Sequence, residues 1–244
     1  MAENSLTLSN VIISRGRSQT ITTHKIIDNS ILVVPDNEVE QYRYLGIEII
    51  PIPATVRGIS KVRNWVMDNI KTDIVIMFDD DITNCNCIIG PRYYRLSRND
   101  ITQLLINTAL TAKNLGVCCF GFNQTWDIRK YSPFEPFKLN TWVGGVVGVV
   151  SREIRWDEKL TCKCDIDYSL QNLQKKRILW VDQRHSFVQK RDKNLGGNSI
   201  FRTQDIIDAE RKCLKRKWGS HIRFSNVKTT QRTIISVNRK SIIQ

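Results

Sequence analysis

The sequence predicts an α/β protein, with a mostly parallel central sheet flanked by helices in a single domain. Three observations carry that prediction. Residues 74–78 are a continuous apolar run of strand length, as in a strand covered on both faces, and residues 10–14, 31–34 and 47–50 are short segments rich in Val and Ile that also read as strands. Segments with helical spacing or composition lie between them, and strands alternating with helices argue for parallel pairing with crossovers. The chain has 244 residues, enough to bury a sizeable core without staples.

Taken in order, the first strand runs into a short basic turn, Ser14-Arg15-Gly16-Arg17, of the kind that meets phosphate through backbone N–H groups and guanidinium. Residues 20–28 read as helical, and the second strand ends in Pro35-Asp36. Residues 38–45 read as helical before the third strand. The next segment has Ile59, Val62, Val66 and Ile70 on one face, which is helical periodicity. Arg57, Lys61 and Arg63 gather in its first half, where a helix ordinarily prefers acids, so an anion is expected nearby.

Residues 92–96 read as a short strand. Residues 99–115 form an amphipathic helix stopped by Gly116, and 117–120 another strand. Residues 123–140, with two prolines and several aromatics, read as a loop over the site. Residues 140–150 read as a strand interrupted by Gly144, Gly145 and Gly148, a pattern that marks close approach of a ligand or backbone. A helix opens near Asp165 and Asp167, whose charges suit its dipole and also suit a general base. Residues 178–182 read as a strand, followed by His185. Residues 193–202 read as a Gly-Gly loop with flanking cations, ending at Arg202, and 203–218 as a helix.

The 74–78 strand ends in Asp79-Asp80-Asp81. Three adjacent like charges repel, and a divalent cation is the natural counter-charge, since such ions take oxygen ligands and leave positions for substrate phosphates. In open α/β sheets ligands bind at the carboxyl ends of the strands, where this cluster falls.

Composition narrows the partners. The net charge is +13 at pH 7, and residues 202–244 hold eleven Lys or Arg against three acids, a local +8. That balance suits a polyanion, nucleic acid first and an acidic membrane surface second. No apolar run reaches membrane-spanning length, and the first residues do not read as a secretory signal, so a cytoplasmic location is expected. Seven cysteines, an odd number without a CxxC pair, suggest reduced thiols rather than a disulfide framework.

With these motifs in order, the sequence resembles the GT-A glycosyltransferases. The basic loop at Ser14–Arg17, the pair Arg63-Asn64, the strand-terminal Asp79-Asp80-Asp81 as a DxD motif, and Trp142-x-Gly144-Gly145 all follow that pattern. So do the acidic pair Asp165 and Asp167 and the downstream His185. Ser14–Arg17, the acidic tip and the 196–202 loop look most like the phage enzymes associated with TET/JBP-type hydroxylases, which modify hydroxymethylated pyrimidines in DNA. The acceptor-side pair departs from the usual Glu-Asp.

The resemblance implies a GT-A domain over residues 1–202, with a nucleotide-sugar half at about 9–122 and an acceptor half at about 123–202, and a basic helix and tail over 203–244. It implies a nucleotide-sugar donor, in all expectation a UDP-sugar, held by Ser14, Arg15, Arg17, Asp36, Arg63, Asn64, Asp79, Asp80, Gly144, Gly145 and Arg202. It implies Mn²⁺ or Mg²⁺ on Asp79, Asp81 and His185, and Asp165 or Asp167 as the base if the reaction inverts. The acceptor would be DNA carrying a hydroxymethylated pyrimidine such as 5-hydroxymethylcytosine, contacted by Arg211, Lys212, Lys215, Arg216 and Lys217. The competing expectations are the same fold acting on a polysaccharide, lipid or protein, and a non-catalytic nucleic-acid-binding protein.

Overall fold

A computed structural model describes residues 6–124, 127–190, 203–227 and 230–237. Its elements in chain order are β1 (Leu8–Ile13), β2 (Ser30–Pro35), α1 (Val39–Tyr42), β3 (Glu48–Ile52), α2 (Ile59–Asn69), β4 (Ile74–Asp79), β5 (Ile82–Ile89) and β6 (Arg92–Arg95). They continue with α3 (Arg98–Asn114), β7 (Cys119–Asn123), β8 (Phe137–Lys138), β9 (Val146–Val149), α4 (Cys164–Lys176), β10 (Trp180–Gln189), α5 (Gln204–Trp218), β11 (Ile222–Val227) and β12 (Thr230–Ile235).

The main sheet runs β3-β2-β1-β4-β9-β7-β10-β5-β6, with β8 beside β10, while β11 and β12 form a separate hairpin. β1 to β4 are mutually parallel, as the βα alternation requires, and β9 enters antiparallel beside β4. Side chains alternate across a strand. Val75 and Met77 therefore pack into a core shared with α2, α4 and α5, while Ile74, Ile76 and Phe78 pack into a second core with α3. Fully burying such a side chain contributes about 1.5–3 kcal/mol, so β4 anchors both layers. Leu214 and Trp218 bring α5 into the first core.

Where sequence and structure differ, tertiary bonds are the reason. Residues 20–28 hold only a 3₁₀ turn at Thr23–Lys25, because the Thr23 side chain donates to the Asp79 carbonyl and accepts from the Ile82 N–H. The 38–45 segment is broken into 3₁₀, α and 3₁₀ turns ending at Gly46, whose φ of 64° needs glycine. The 140–150 strand is confined to Val146–Val149. β5 and the β11–β12 hairpin are elements the sequence reading does not anticipate.

β10 bends. Its first half runs parallel to β7; after a register shift between Asp182 and Ser186, its second half pairs antiparallel with β5. The bend returns Gln189 and Lys190 to the acidic tip of β4, where the Lys190 N–H donates to the Asp81 carbonyl.

Candidate active site

Where β1, β2 and β4 end, a cleft of about 510 Å³ opens, and most of the predicted residues meet in it. Ser14, Arg15, Arg17, Arg63, Asp79, Asp80, Asp81, Gly144, Gly145 and Asp165 all line it.

The three carboxylates separate. Asp80 is 4% exposed and turns inward, accepting from Ser14 Oγ at 2.6 Å and from Arg17 at 2.8 Å. Burial still pushes its pKa up against those partners. Asp80 thus pins the strand tip to the basic loop. The fully buried Tyr42 reinforces the joint: its hydroxyl meets Ser14 Oγ at 2.9 Å and accepts the Arg17 N–H at 3.0 Å.

Asp79 faces the cleft, accepting from Gln189 Nε2 at 2.8 Å and lying 3.6 Å from the Arg63 guanidinium. Asp81 has a buried Oδ1 without a hydrogen-bond partner. Desolvation first, then the charges of Asp79 and Asp80, raise its pKa to about 6. A carboxylate kept dry beside two others is destabilised when ionised, unless a cation joins it. Two cleft carboxylates, one with an orphaned oxygen, therefore suit Mn²⁺ or Mg²⁺. Mg²⁺ characteristically takes one or two carboxylates plus substrate phosphates rather than a closed protein cage. No cluster of three or more His, Cys, Asp or Glu able to hold a metal forms among the described residues.

Arg63 is 5% exposed, lies 5.5 Å over the Trp156 ring, and has a buried Nε without a partner. Its guanidinium is a desolvated cation at the floor of the cleft, suited to phosphate. Gly58, with φ of 95°, opens α2 without a side-chain cap or a first-turn acid, and Gly58 and Ile59 line the same cleft. The orphan N–H groups of that turn add positive potential there.

The glycines are explained by side chains rather than backbone. A Cβ on Gly145 would meet Gln189 Nε2 at 1.9 Å and Asp79 Oδ2 at 2.6 Å, and one on Gly144 would meet Gln124 Oε1 at 2.0 Å. Gln124 and Gln189, absent from the sequence reading, therefore belong to the cleft wall. Glu210 was equally unforeseen. Its buried carboxylate accepts the N–H groups of Thr161, Cys162 and Lys163 at 2.5–3.1 Å, fixing the turn that opens α4 and so the position of Asp165. Only its reach from the next helix reveals that role.

Several expected residues serve elsewhere. Asn64 does not line the cleft: its amide donates to the Trp156 carbonyl and Glu158 and accepts the Trp156 N–H, clamping 156–158 onto α2. Asp36 is exposed just beyond the lining Pro35, and accepts the N–H groups of Asn37 and Ala54. His185 is not a ligand in this arrangement. It pairs with Cys87 in the strand register, its Nδ1 held by Asp182 at 3.0 Å. Four residues of strand separate it from Gln189, about 13 Å. Arg202 lies outside the described residues.

Asp167 is no base. It is 0% exposed, and accepts from Trp218 Nε1 at 2.7 Å, Gln171 Nε2 at 2.8 Å and the Lys217 ammonium at 2.8 Å. It ties α4 to α5. Asp167→Ala is expected to cost about 2–4 kcal/mol of stability, the usual penalty for breaking a buried pair, reduced because Lys217 is partly solvated. Urea unfolding checks this, and UDP affinity of the folded fraction should stay within about twofold, as it would not for a cleft residue. Of the α5 cations, Arg211 pairs with Asp208, Lys215 donates to the Gly219 and Ile222 carbonyls, and Lys217 is spent on Asp157 and Asp167. Lys212 and Arg216 are exposed.

The architecture is that of the GT-A glycosyltransferases. Glucosyl-3-phosphoglycerate synthase from Mycobacterium tuberculosis, in complex with Mn²⁺, UDP and glucosyl-3-phosphoglycerate, superposes with a TM-score of 0.53 at 14% identity, over 95% of this chain and 88% of that one. The same enzyme with Mg²⁺ and UDP gives the same values. TarS residues 1–349 from S. aureus match over 76% of this chain and 59% of that one, at 11% identity and a TM-score of 0.45. None of the curated proteins matches the sequence. The model of the TET-associated glycosyltransferases matches residues 9–197, and the chain belongs to that family of enzymes. No helix among the described residues is long and apolar enough to cross a membrane.

Proposed function

We propose that this glycosyltransferase moves a sugar from a UDP-sugar to the hydroxyl of a hydroxymethylated pyrimidine in phage DNA, in the host cytoplasm, with Mn²⁺ or Mg²⁺ bound. The observation that carries the donor half is the orphaned Asp81 oxygen beside Asp79, in a cleft that also holds the buried Arg63. Support for UDP and for the metal comes from the structural relative, whose complexes contain both. Support for the DNA acceptor comes from the family and from the net charge of +13.

Asp79 and Asp81 would hold the metal, which supplies positive charge to the diphosphate as it leaves. Arg63 and the first turn of α2 bind the remaining phosphate charge. Asp80 and Arg17 neutralise each other and keep the tip rigid, so that Asp79 and Asp81 are preorganised before the donor arrives. The acceptor hydroxyl attacks the anomeric carbon through an oxocarbenium-like state. Asp165 lines the cleft in the first turn of α4, and takes the hydroxyl proton in an inverting reaction.

The test is incubation with a panel of nucleotide sugars and either metal, on plain and 5-hydroxymethylated DNA, read by mass spectrometry. A hexose mass added only to the hydroxymethylated DNA is expected. Donor hydrolysis with no DNA product under any condition would sink the acceptor assignment.

A further inference from the structure

We infer that the sheet edge formed by β6 holds the acceptor nucleic-acid strand, as single-stranded or locally unpaired DNA. This rests on the DNA-acceptor reading and deepens it. β6 is the last strand of the sheet, and all four of its residues, Arg92, Tyr93, Tyr94 and Arg95, are exposed. Strand alternation puts Arg92 and Tyr94 on one face and Tyr93 and Arg95 on the other, so each face offers one cation and one ring.

Arginines at a sheet edge also guard against edge-to-edge pairing. Guarding does not account for two tyrosines left 48% and 50% exposed between them. A base can stack on such a ring whatever its identity, while the flanking guanidinium meets the phosphate. Residues 82–97 contain no Asp or Glu. Arg184 on β10 adds a third guanidinium behind the edge, its Nε 3.4 Å from the Ile88 carbonyl, and Ile88 is the register partner of Tyr93.

The edge also leads to the chemistry. β5 starts at Ile82, beside Asp81, and Arg95 is opposite Asn86. Five residues of strand then separate Arg95 from the acidic tip, about 17 Å. A strand laid along β6 reaches the cleft within a few nucleotides, and an unstacked base is what an enzyme working on a base substituent needs. Of the two β6 arginines, Arg95 also donates to the Thr83 carbonyl at 3.2 Å, while on α5 three of the five cations are engaged with neighbouring groups.

The test is equilibrium binding of the full chain to a labelled single-stranded oligonucleotide, by fluorescence anisotropy over a series of salt concentrations. Arg92→Ala/Arg95→Ala should weaken binding at least tenfold and flatten the log–log salt slope by about 1.4, or about 0.7 for each phosphate of a single strand that is no longer neutralised. Tyr93→Ala/Tyr94→Ala should weaken binding at least fivefold with the slope unchanged, because stacking releases no counterions. Arg92→Lys/Arg95→Lys should keep the slope, which separates charge loss from a damaged edge. Lys212→Ala/Arg216→Ala is the comparison on α5. If it carries the loss while the β6 variants bind like the intact protein, the inference is overturned and the DNA reading survives. If the intact protein binds no DNA, both fall.

Discussion

Asp81→Asn is expected to lower sugar transfer by at least 10²–10³-fold while making the metal-free protein more stable at neutral pH. The first half follows from the cleft. Asp81 offers the orphaned oxygen that a dication needs, and losing one preorganised electrostatic partner of a transition state typically costs that much in kcat. The second half follows from repulsion. Asp81 ionises against Asp79 and Asp80 in a desolvated position, and an amide of the same shape does not. A functional carboxylate that destabilises its own fold is the signature sought; a purely structural one would move both readouts downward.

The pH dependence has a definite sign. The Asp81 pKa is raised, to about 6 from 3.8, so the folded state holds this proton more tightly than the unfolded state. Its contribution to stability is fully present below pH 3.8 and is lost as pH rises through 6. The loss is at most about 3 kcal/mol at 1.36 kcal/mol per pKa unit, and less once solvent at the cleft is counted. Thermal melts of metal-free Asp81→Asn should therefore gain on the parent between pH 4 and 7 and converge with it below. Mn²⁺ is expected to reverse the trend in the parent alone, because the proposed site needs the ionised carboxylate. Mn²⁺-dependent UDP affinity should rise as pH passes 6. An Asp81→Asn enzyme with near-parental turnover, or a parent whose Mn²⁺ affinity ignores pH, would remove the metal from this tip.

Much of this site was written in local sequence. β-branched runs end where the cleft opens, so the basic loop, the acidic tip and the helix bearing Arg63 came together as their order implied. What stayed hidden was whatever depended on reach. Asp80 and Arg17 are 63 residues apart, and only the fold reveals that they neutralise each other. Glu210 and Gln189 act on groups 47 to 110 residues distant. In β5 the spacing of Cys85 and Cys87 is simply strand alternation, with Cys85 packed against Phe187 and its neighbours in the second core. With Thr83, Asn84 and Asn86 set among its apolar residues, this eight-residue strand lacks the continuous apolar run that marks β4. His185 fits the order of motifs, but the bent β10 pairs it with Cys87 and carries Gln189 to the tip instead.

The acceptor side yields the second large effect. Asp165→Asn is expected to reduce kcat by about 10²–10⁴-fold with donor KM nearly unchanged, the range for loss of a general base. Two carboxylates open α4, and the structure separates them: Asp167 is consumed by Trp218, Lys217 and Gln171, whereas Asp165 lines the cleft. Its Oδ1 accepts the N–H of Ile166 at 2.9 Å, and the turn before it is locked by Glu210, so the carboxylate is held rather than swinging in solvent. The dipole of α4 favours the negative form at this end. An amide keeps the shape and the hydrogen bonds but cannot take a proton. Glu210→Gln weakens the lock without removing the base, and should lower kcat by a smaller factor. Product anomers read by NMR complete the argument. Inverted configuration with a silent Asp165→Asn makes Asp165 the base; retained configuration with an active variant removes it from the chemistry and leaves it as a helix-capping charge.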